Sequence, residues 1–211
     1  MVWVKICGIT NPGDAVAAAA AGANAVGFVF APGPRKVDPE KAREIAGMLP
    51  PGVEKIGVFV NEAPGLVEEI ARCCRLTGLQ FHGGESPEYC LGFPGYQVIK
   101  AFSVRAKLDG AAIGEYILKG AADRVLLDAY VPGKSGGTGM TFPWEAALDY
   151  DWKGTPLIVA GGLTPGNVGR AVRMGCFFGV DVSSGVEKEP GIKDAGKIVQ
   201  FIKAARRAAG E

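Results

Sequence analysis

The chain has 211 residues, with 23 Lys+Arg against 22 Asp+Glu and a formal charge of +1. That near-balance argues against a surface built mainly for nucleic acid or anionic membrane, because both need a basic excess to displace counterions. At 48% hydrophobic and 21% charged the chain is neither disordered nor fibrous, and one domain over 1–211 with a sizeable core is expected. Glycine, at 32 residues, is about double the average usage of roughly 7%. These glycines end apolar runs without a collagen-like period, as many tight strand-to-helix connections would require.

The start, Met-Val-Trp-Val-Lys-Ile-Cys, lacks the basic n-region and long apolar core of a secretory signal. No run approaches the roughly 18–20 apolar residues of a membrane span. Cys7, Cys73, Cys74, Cys90 and Cys176 are odd in number and show no CxxC spacing, and His82 is the only histidine. A Cys/His metal site is therefore poorly supported, and buried free thiols in a reducing cytoplasm are expected.

The first expected strand, 2–7, closes in Lys5-Ile6-Cys7-Gly8-Ile9-Thr10, and alternation puts Trp3, Lys5 and Cys7 on one face. Cys7 at a strand end is either a buried hydrophobe or a base or nucleophile whose thiol is tuned by nearby positive charge, which Lys5 could supply as a possible site-lining residue unless it simply fills the barrel with a snorkelling head. A helix follows at 12–21 and a strand at 25–30. The next loop, Pro32-Gly33-Pro34-Arg35-Lys36-Val37-Asp38, holds two cations; Arg35 is either solvated or forks onto a substrate carboxylate. A helix at 39–49, a strand at 55–60, a helix at 64–74 and a strand at 78–81 come next. The last of these ends in His82, which reads as hydrogen-bonded scaffold or as a possible site-lining residue.

A helix at 87–91, a strand at 97–101 and a weakly marked helix at 108–114 lead to the strand 124–128. Asp128 ends that apolar run, either as a turn-capping carboxylate or as a general acid or base facing the same mouth as Cys7. Behind it, the loop from Val131 to Gly139 contains Gly133-Lys134-Ser135. The Walker spacing would need Gly at 128, so a substrate-covering loop is the better reading. After a helix at 143–148, the strand 157–160 runs into Gly161-Gly162, followed by a helix at 165–174. The strand 177–180 runs into Asp181-Val182-Ser183-Ser184-Gly185, and a helix at 194–209 ends the chain. Pro repeatedly stands in a first helical turn.

Eight strand–helix units without a flexible linker imply parallel strands joined by right-handed crossovers. The count favours an α/β fold of (β/α)8 type, a TIM barrel, over a doubly wound open sheet, and no GxGxxG follows the first strand. In such a barrel, chemistry gathers where strands end, and phosphate binds after strands seven and eight. Gly161, Gly162, Asp181, Ser183 and Ser184 are the candidate phosphate-binding residues on that basis.

Taken together, several segments resemble the phosphoribosylanthranilate isomerase family of tryptophan biosynthesis. They are Lys5-Ile6-Cys7-Gly8-Ile9-Thr10, Gly27-Phe28-Val29-Phe30 with Pro34-Arg35, Gly57-Val58-Phe59-Val60-Asn61, Gln80-Phe81-His82-Gly83, Leu127-Asp128 with Gly136-Gly137-Thr138-Gly139, Ala160-Gly161-Gly162-Leu163, and Asp181-Val182-Ser183-Ser184-Gly185-Val186-Glu187. Departures are small: Phe81 stands where Leu is common, and the loop before Arg35 reads Gly33-Pro34. The resemblance implies an Amadori rearrangement of N-(5-phosphoribosyl)anthranilate to 1-(2-carboxyphenylamino)-1-deoxyribulose 5-phosphate, with no cofactor, metal or redox step.

On the same resemblance Asp128 is the general acid, Cys7 the general base, and Arg35 the partner of the anthranilate carboxylate. Gly161, Gly162, Ser183 and Ser184 hold the phosphate. The expected partner is a small-molecule phosphosugar, with no nucleic acid or membrane, for a monomer or a homodimer. The related histidine-pathway isomerase carries Asp where Cys7 stands, which weighs against it. Indole-glycerol-phosphate synthase would need a catalytic Lys, and pentose-phosphate epimerases a metal-binding His pair. A phosphosugar-binding module without catalysis has no need of both Cys7 and Asp128.

Overall fold

The computed structural model describes residues 1–104, 107–129, 144–175 and 177–211. Eight parallel strands close into a barrel in sequence order: β1 (Trp3–Cys7), β2 (Ala25–Val29), β3 (Glu54–Phe59), β4 (Gly78–Phe81), β5 (Gln97–Val104), β6 (Arg124–Ala129), β7 (Leu157–Val159) and β8 (Gly179–Val182). Closure falls between β1 and β8, with Trp3 opposite Gly179 and Lys5 opposite Asp181. The helices α1 (Pro12–Ala20), α2 (Pro39–Gly47), α3 (Pro64–Cys73), α4 (Pro87–Leu91), α5 (Gly110–Leu118), α6 (Val168–Arg173) and α7 (Ala195–Ala208) fill the connections. Short 3-10 turns stand at Trp144–Ala147 and Ser184–Val186.

The helix starts follow from short polar caps and proline. Asn11, Asp38 and Ser86 accept from the backbone N–H groups of Asp14, Glu40 and Tyr89, and Pro12, Pro39 and Pro87 fill the first helical positions. Apolar residues on both faces of the strands divide the interior in two. Trp3, Ala25, Ile56, Ile99, Ala101, Leu126, Ile158 and Ala160 form the inner cluster. A larger cluster, including Ile6, Phe28, Leu79, Val125, Val180 and Phe201, lies between strands and helices. Burying each such Ile, Leu or Phe stabilises the fold by about 1.5–3 kcal/mol.

At the amino ends of the strands, Arg124 seals the barrel. Its guanidinium lies 4.8 Å from the Trp3 ring centroid and 4.9 Å from that of Phe178, and its Nη1 donates to Glu54 Oε2 at 2.9 Å. This plug stiffens the end away from the βα loops.

Three expectations are corrected. The helix placed at 108–114 begins two residues later and runs to Leu118, because Asp109 caps it by accepting from Ala112 N–H. The helix at 143–148 is only the 3-10 turn in its described part. An antiparallel pair unforeseen in the sequence, β9 (Glu187–Glu189) and β10 (Ile192–Lys193), follows β8. The expected loop 131–139 and Cys176 lie outside the described residues. No helix among the described residues is long and apolar enough to cross a membrane.

Candidate active site

The carboxyl ends of the strands enclose a cavity of about 220 Å³, lined by Cys7, Arg35, His82, Asp128, Gly161, Gly162, Asp181, Ser183 and Ser184. Strand ends and loops as far apart in sequence as Cys7 and Ser184 thus converge on one space, as barrel closure dictates. Val29, Val58, Val60, Leu126 and Leu163 supply apolar wall, and Pro32 and Pro34 stiffen the β2 loop beside it. The result is an apolar chamber with a few polar groups aimed inward, the usual form of a small-molecule site.

Cys7 ends β1 with 8% of its surface exposed. Burial pushes its thiol above the ordinary range, and the Asp181 charge adds to this, against the opposing pull of Lys5 and Lys193. Asp128 is the last residue but one of β6, with its side chain turned inward alongside Leu126. Burial, reinforced by the negative charge of Asp181, raises its carboxyl to about 7. A carboxylic acid held there is still substantially protonated near neutral pH and can release its proton, which is what a general acid requires. His82 Nε2 lies 3.6 Å from Asp128 Oδ2. Burial and the positive charge of Lys100 and Lys5 push the imidazole down to about 4, so it is neutral.

Lys5 does not line the cavity as a possible wall residue would. It is fully buried beneath it, donating to Gln80 Oε1 at 2.8 Å and to Asp181 Oδ2 at 2.9 Å. Burial alone would lower its pKa, but the charges of Asp181 and Cys7 outweigh burial and hold it above the ordinary lysine value. Asp181, placed with the phosphate-binding residues from the sequence, borders the cavity with its Oδ2 accepting from Lys5. A carboxylate has no donor to offer a phosphate, so its observed partner is the lysine.

The loops after β7 and β8 carry the remaining small residues. Gly161 adopts φ +78°, a backbone state that costs an L side chain strain. A Cβ there would also press on Ala129 and stand 2.8 Å from Asp128 Oδ1. Bare backbone at Gly161 therefore lets this loop close over the end of β6. Asn167 bridges the loop, accepting from Thr164 N–H at 2.7 Å and donating to Gly162 O at 2.9 Å. Ser183 and Ser184 present the second loop on the opposite side of the same end of the cavity.

Arg35 reaches the cavity from the β2 loop with its guanidinium already engaged. Its Nε and Nη2 donate to Glu187 Oε1 at 2.8 Å and Oε2 at 2.7 Å, leaving the Nη1–Nη2 edge as the one a ligand carboxylate would meet. Glu187, Lys193 and Gln80 escaped the sequence reading as site residues. Glu187 and Gln80 do stand within the motif stretches, whereas Lys193 lies in a charged segment with no periodicity to single it out. Among the described residues, no group of three or more His, Cys, Asp and Glu side chains is arranged to hold a metal ion.

A closed parallel barrel whose strand ends hold a buried thiol, a carboxyl raised to near neutrality and a cationic fork around one cavity defines a (β/α)8-barrel enzyme of the proton-transfer class. A sequence model described as N-(5'phosphoribosyl)anthranilate isomerase matches residues 4–204. A protein of that name from Trichlorobacter lovleyi is 48% identical over 209 residues, 99% of this chain and 100% of the relative. The crystal structure of phosphoribosyl anthranilate isomerase from Thermotoga maritima superposes with a TM-score of 0.89 at 42% identity, covering 98% of this chain and 100% of that one. A structure of such an isomerase in complex with reduced 1-(o-carboxyphenylamino)-1-deoxyribulose 5-phosphate gives 0.85 at 40% identity, covering 98% and 100%. The chain belongs to the N-(5'-phosphoribosyl)anthranilate isomerase family.

Proposed function

We propose that the cavity carries out the Amadori rearrangement of N-(5-phosphoribosyl)anthranilate to 1-(2-carboxyphenylamino)-1-deoxyribulose 5-phosphate, a step of tryptophan biosynthesis, with Asp128 as acid and Cys7 as base. The carrying observation is the Asp128 carboxyl held at about 7 in the same cavity as the Cys7 thiol. Asp128 gives its proton to the ring oxygen as the bond from that oxygen to C1 breaks, leaving an open-chain Schiff base. Cys7 then removes the proton from C2, and the electron pair moves to form an enolamine, which tautomerises to the ketone. Atoms balance within the substrate, and no external oxidant or reductant enters.

Binding follows the charges. The Nη1–Nη2 edge of Arg35 takes the anthranilate carboxylate, and the aromatic ring lies against the Val58 and Val60 wall. The phosphate rests on the loops Gly161-Gly162 and Ser183-Ser184, across β1 from the β2 loop. His82, neutral beside Asp128, steadies the carboxyl without drawing off its proton.

The test is chromatographic product formation from freshly generated phosphoribosylanthranilate by the unmodified protein, Cys7→Ala and Asp128→Asn. Aminoketose from the unmodified protein and loss of most turnover in both variants is expected. Full activity in Cys7→Ala would remove the base assignment, and no product from folded protein that still binds phosphosugar would leave a binding module.

A further inference from the structure

Four side chains join the two ends of the cavity. Arg35 is forked onto Glu187, and Glu187 Oε1 also accepts from Lys193 Nζ at 2.8 Å. Lys193 Nζ in turn lies 3.3 Å from both the carbonyl and the Oγ of Ser183. Packing confirms the closeness: a Cβ on Gly8, the residue after Cys7, would stand 2.8 Å from Arg35 Cδ and 3.0 Å from Ser183 Oγ. The Lys193 side chain is fully buried and that of Glu187 is 5% exposed.

The charge count of this cluster is uneven. Two cations, Arg35 and Lys193, share one carboxylate. Two other charged groups meet it at the backbone, where Asp14 accepts from Lys193 N–H and the exposed Lys197 donates to the Glu187 carbonyl, and Cys7 faces both cations, so that its ionised form would hold their charge in place. Burial pulls the Lys193 pKa down while Glu187 pulls it back up, as expected of an ammonium whose neutralisation is incomplete. With Cys7 in its thiol form the cluster carries one positive charge in excess, which favours an anion entering beside it.

We propose that Glu187 and Lys193 are positioning residues for the substrate: Glu187 locks the Arg35 guanidinium so that one edge faces the substrate carboxylate, and Lys193 ties that lock to Ser183 in the phosphate loop. This rests on the reading that Arg35 meets the anthranilate carboxylate. The short β9–β10 hairpin then has a purpose, since it brings both residues back under the cavity after β8. Glu187 sets orientation and also cancels one charge, so that the site favours a ligand with two separated anionic ends over phosphate alone.

The test measures inhibition constants for two probes, reduced 1-(o-carboxyphenylamino)-1-deoxyribulose 5-phosphate and ribulose 5-phosphate, alongside kcat and KM. Variants are Arg35→Met, Arg35→Lys, Glu187→Gln and Lys193→Met, with folding followed by circular dichroism. Arg35→Met, Arg35→Lys and Glu187→Gln are expected to weaken the carboxylated probe by roughly tenfold or more and ribulose 5-phosphate by less than about twofold, with KM rising more than kcat falls. Lys193→Met is expected to weaken both probes. Arg35→Lys keeps the charge but cannot keep both bonds to Glu187, so it reports on positioning even if the buried variants fail to fold. Arg35→Lys as tight as the unmodified protein, or a folded Glu187→Gln with both constants unchanged while Arg35→Met is weakened, would overturn the proposal. No effect of Arg35→Met on the carboxylated probe would overturn the Arg35 reading itself.

Discussion

His82 and Asp128 stand 3.6 Å apart in the geometry of an ion pair, yet neither carries charge between about pH 4 and 7. The imidazole is pushed down to about 4 and the carboxyl up to about 7. Burial drives both shifts, because it penalises whichever form is charged. A mutually neutral pair leaves the proton on the carboxyl, available to a substrate oxygen.

The pH profile follows from combining that carboxyl with the raised Cys7 thiol. On the proposed assignment turnover needs Asp128 protonated and Cys7 ionised, although Asp128 is the stronger acid of the two in the free enzyme. Below about pH 7 the acid is intact and the thiolate fraction grows tenfold per pH unit. Between 7 and the thiol value the loss of acid cancels the gain of thiolate, and above that value only the loss remains. Initial-rate measurements should show kcat/KM rising to about pH 7, holding level, and falling only above the ordinary thiol range. A fall that begins at pH 7 would mean that Cys7 ionises below Asp128, contrary to the buried thiol described above.

Asp128→Asn should cost activity and gain stability together. Turnover is expected to drop by about 10²–10⁴-fold, the usual worth of a positioned acid. In the folded protein the carboxyl binds its proton up to about pH 7, but in the unfolded chain only up to about 3.9. Its contribution to stability is therefore fully present below about pH 4 and is lost as pH rises towards 7, by up to about 4 kcal/mol. Asparagine cannot ionise. Urea unfolding should find the variant more stable than the unmodified protein at pH 8 and nearly equal to it at pH 4; equal stability at pH 8 would show that Asp128 is not desolvated.

Beneath the cavity, Lys5→Met should be strongly destabilising because it strands Asp181, whose Oδ1 already has no hydrogen-bond partner among the described residues. Removing one member of such a buried pair costs about 3–5 kcal/mol. The double variant Lys5→Met with Asp181→Asn should recover much of that loss, since it removes the unpaired charge. Equilibrium unfolding of the two singles and the double forms a cycle whose coupling measures the pair. Additive costs would show that the pair is solvated rather than buried.

Periodicity and punctuation located every barrel strand because a parallel sheet buried on both faces writes its strands as short apolar runs. The site was legible where a chemical group interrupts or ends such a run, as at Cys7, His82 and Asp128. What escaped was set by closure of the barrel rather than by local sequence. Asp181 meets Lys5 only because β8 lies beside β1, and that pairing turns an apparent phosphate-loop residue into a counterion. Glu187 and Lys193 sit in strands of three and two residues, too short and too charged to show a period, and Glu187 finds Arg35 across 152 positions of sequence. The α5 boundary slipped because Gly110 and Gly114 weaken the helical signal, while the deciding cap is a single bond from Asp109.

Gly161→Ala should damage both ends of the reaction through one methyl group. The residue holds φ +78°, so any L side chain there is strained by about 1–2 kcal/mol before contacts are counted. The added Cβ would press on Ala129 and stand 2.8 Å from Asp128 Oδ1, so relief must come from moving the β7 loop outward or displacing the end of β6. If Gly161 and Gly162 hold the phosphate as proposed, the first motion withdraws them from it and raises KM. If Asp128 is the proposed acid, the second shifts it from the ring oxygen and lowers kcat, where a displacement of about 1 Å is enough for a 10²-fold loss. Because the same atom forces both, the variant should show KM raised and kcat reduced together, with kcat/KM down by roughly 10²-fold or more. Steady-state kinetics on the folded variant decides it: an unchanged kcat would mean that the loop yields alone and that Asp128 is held independently of it.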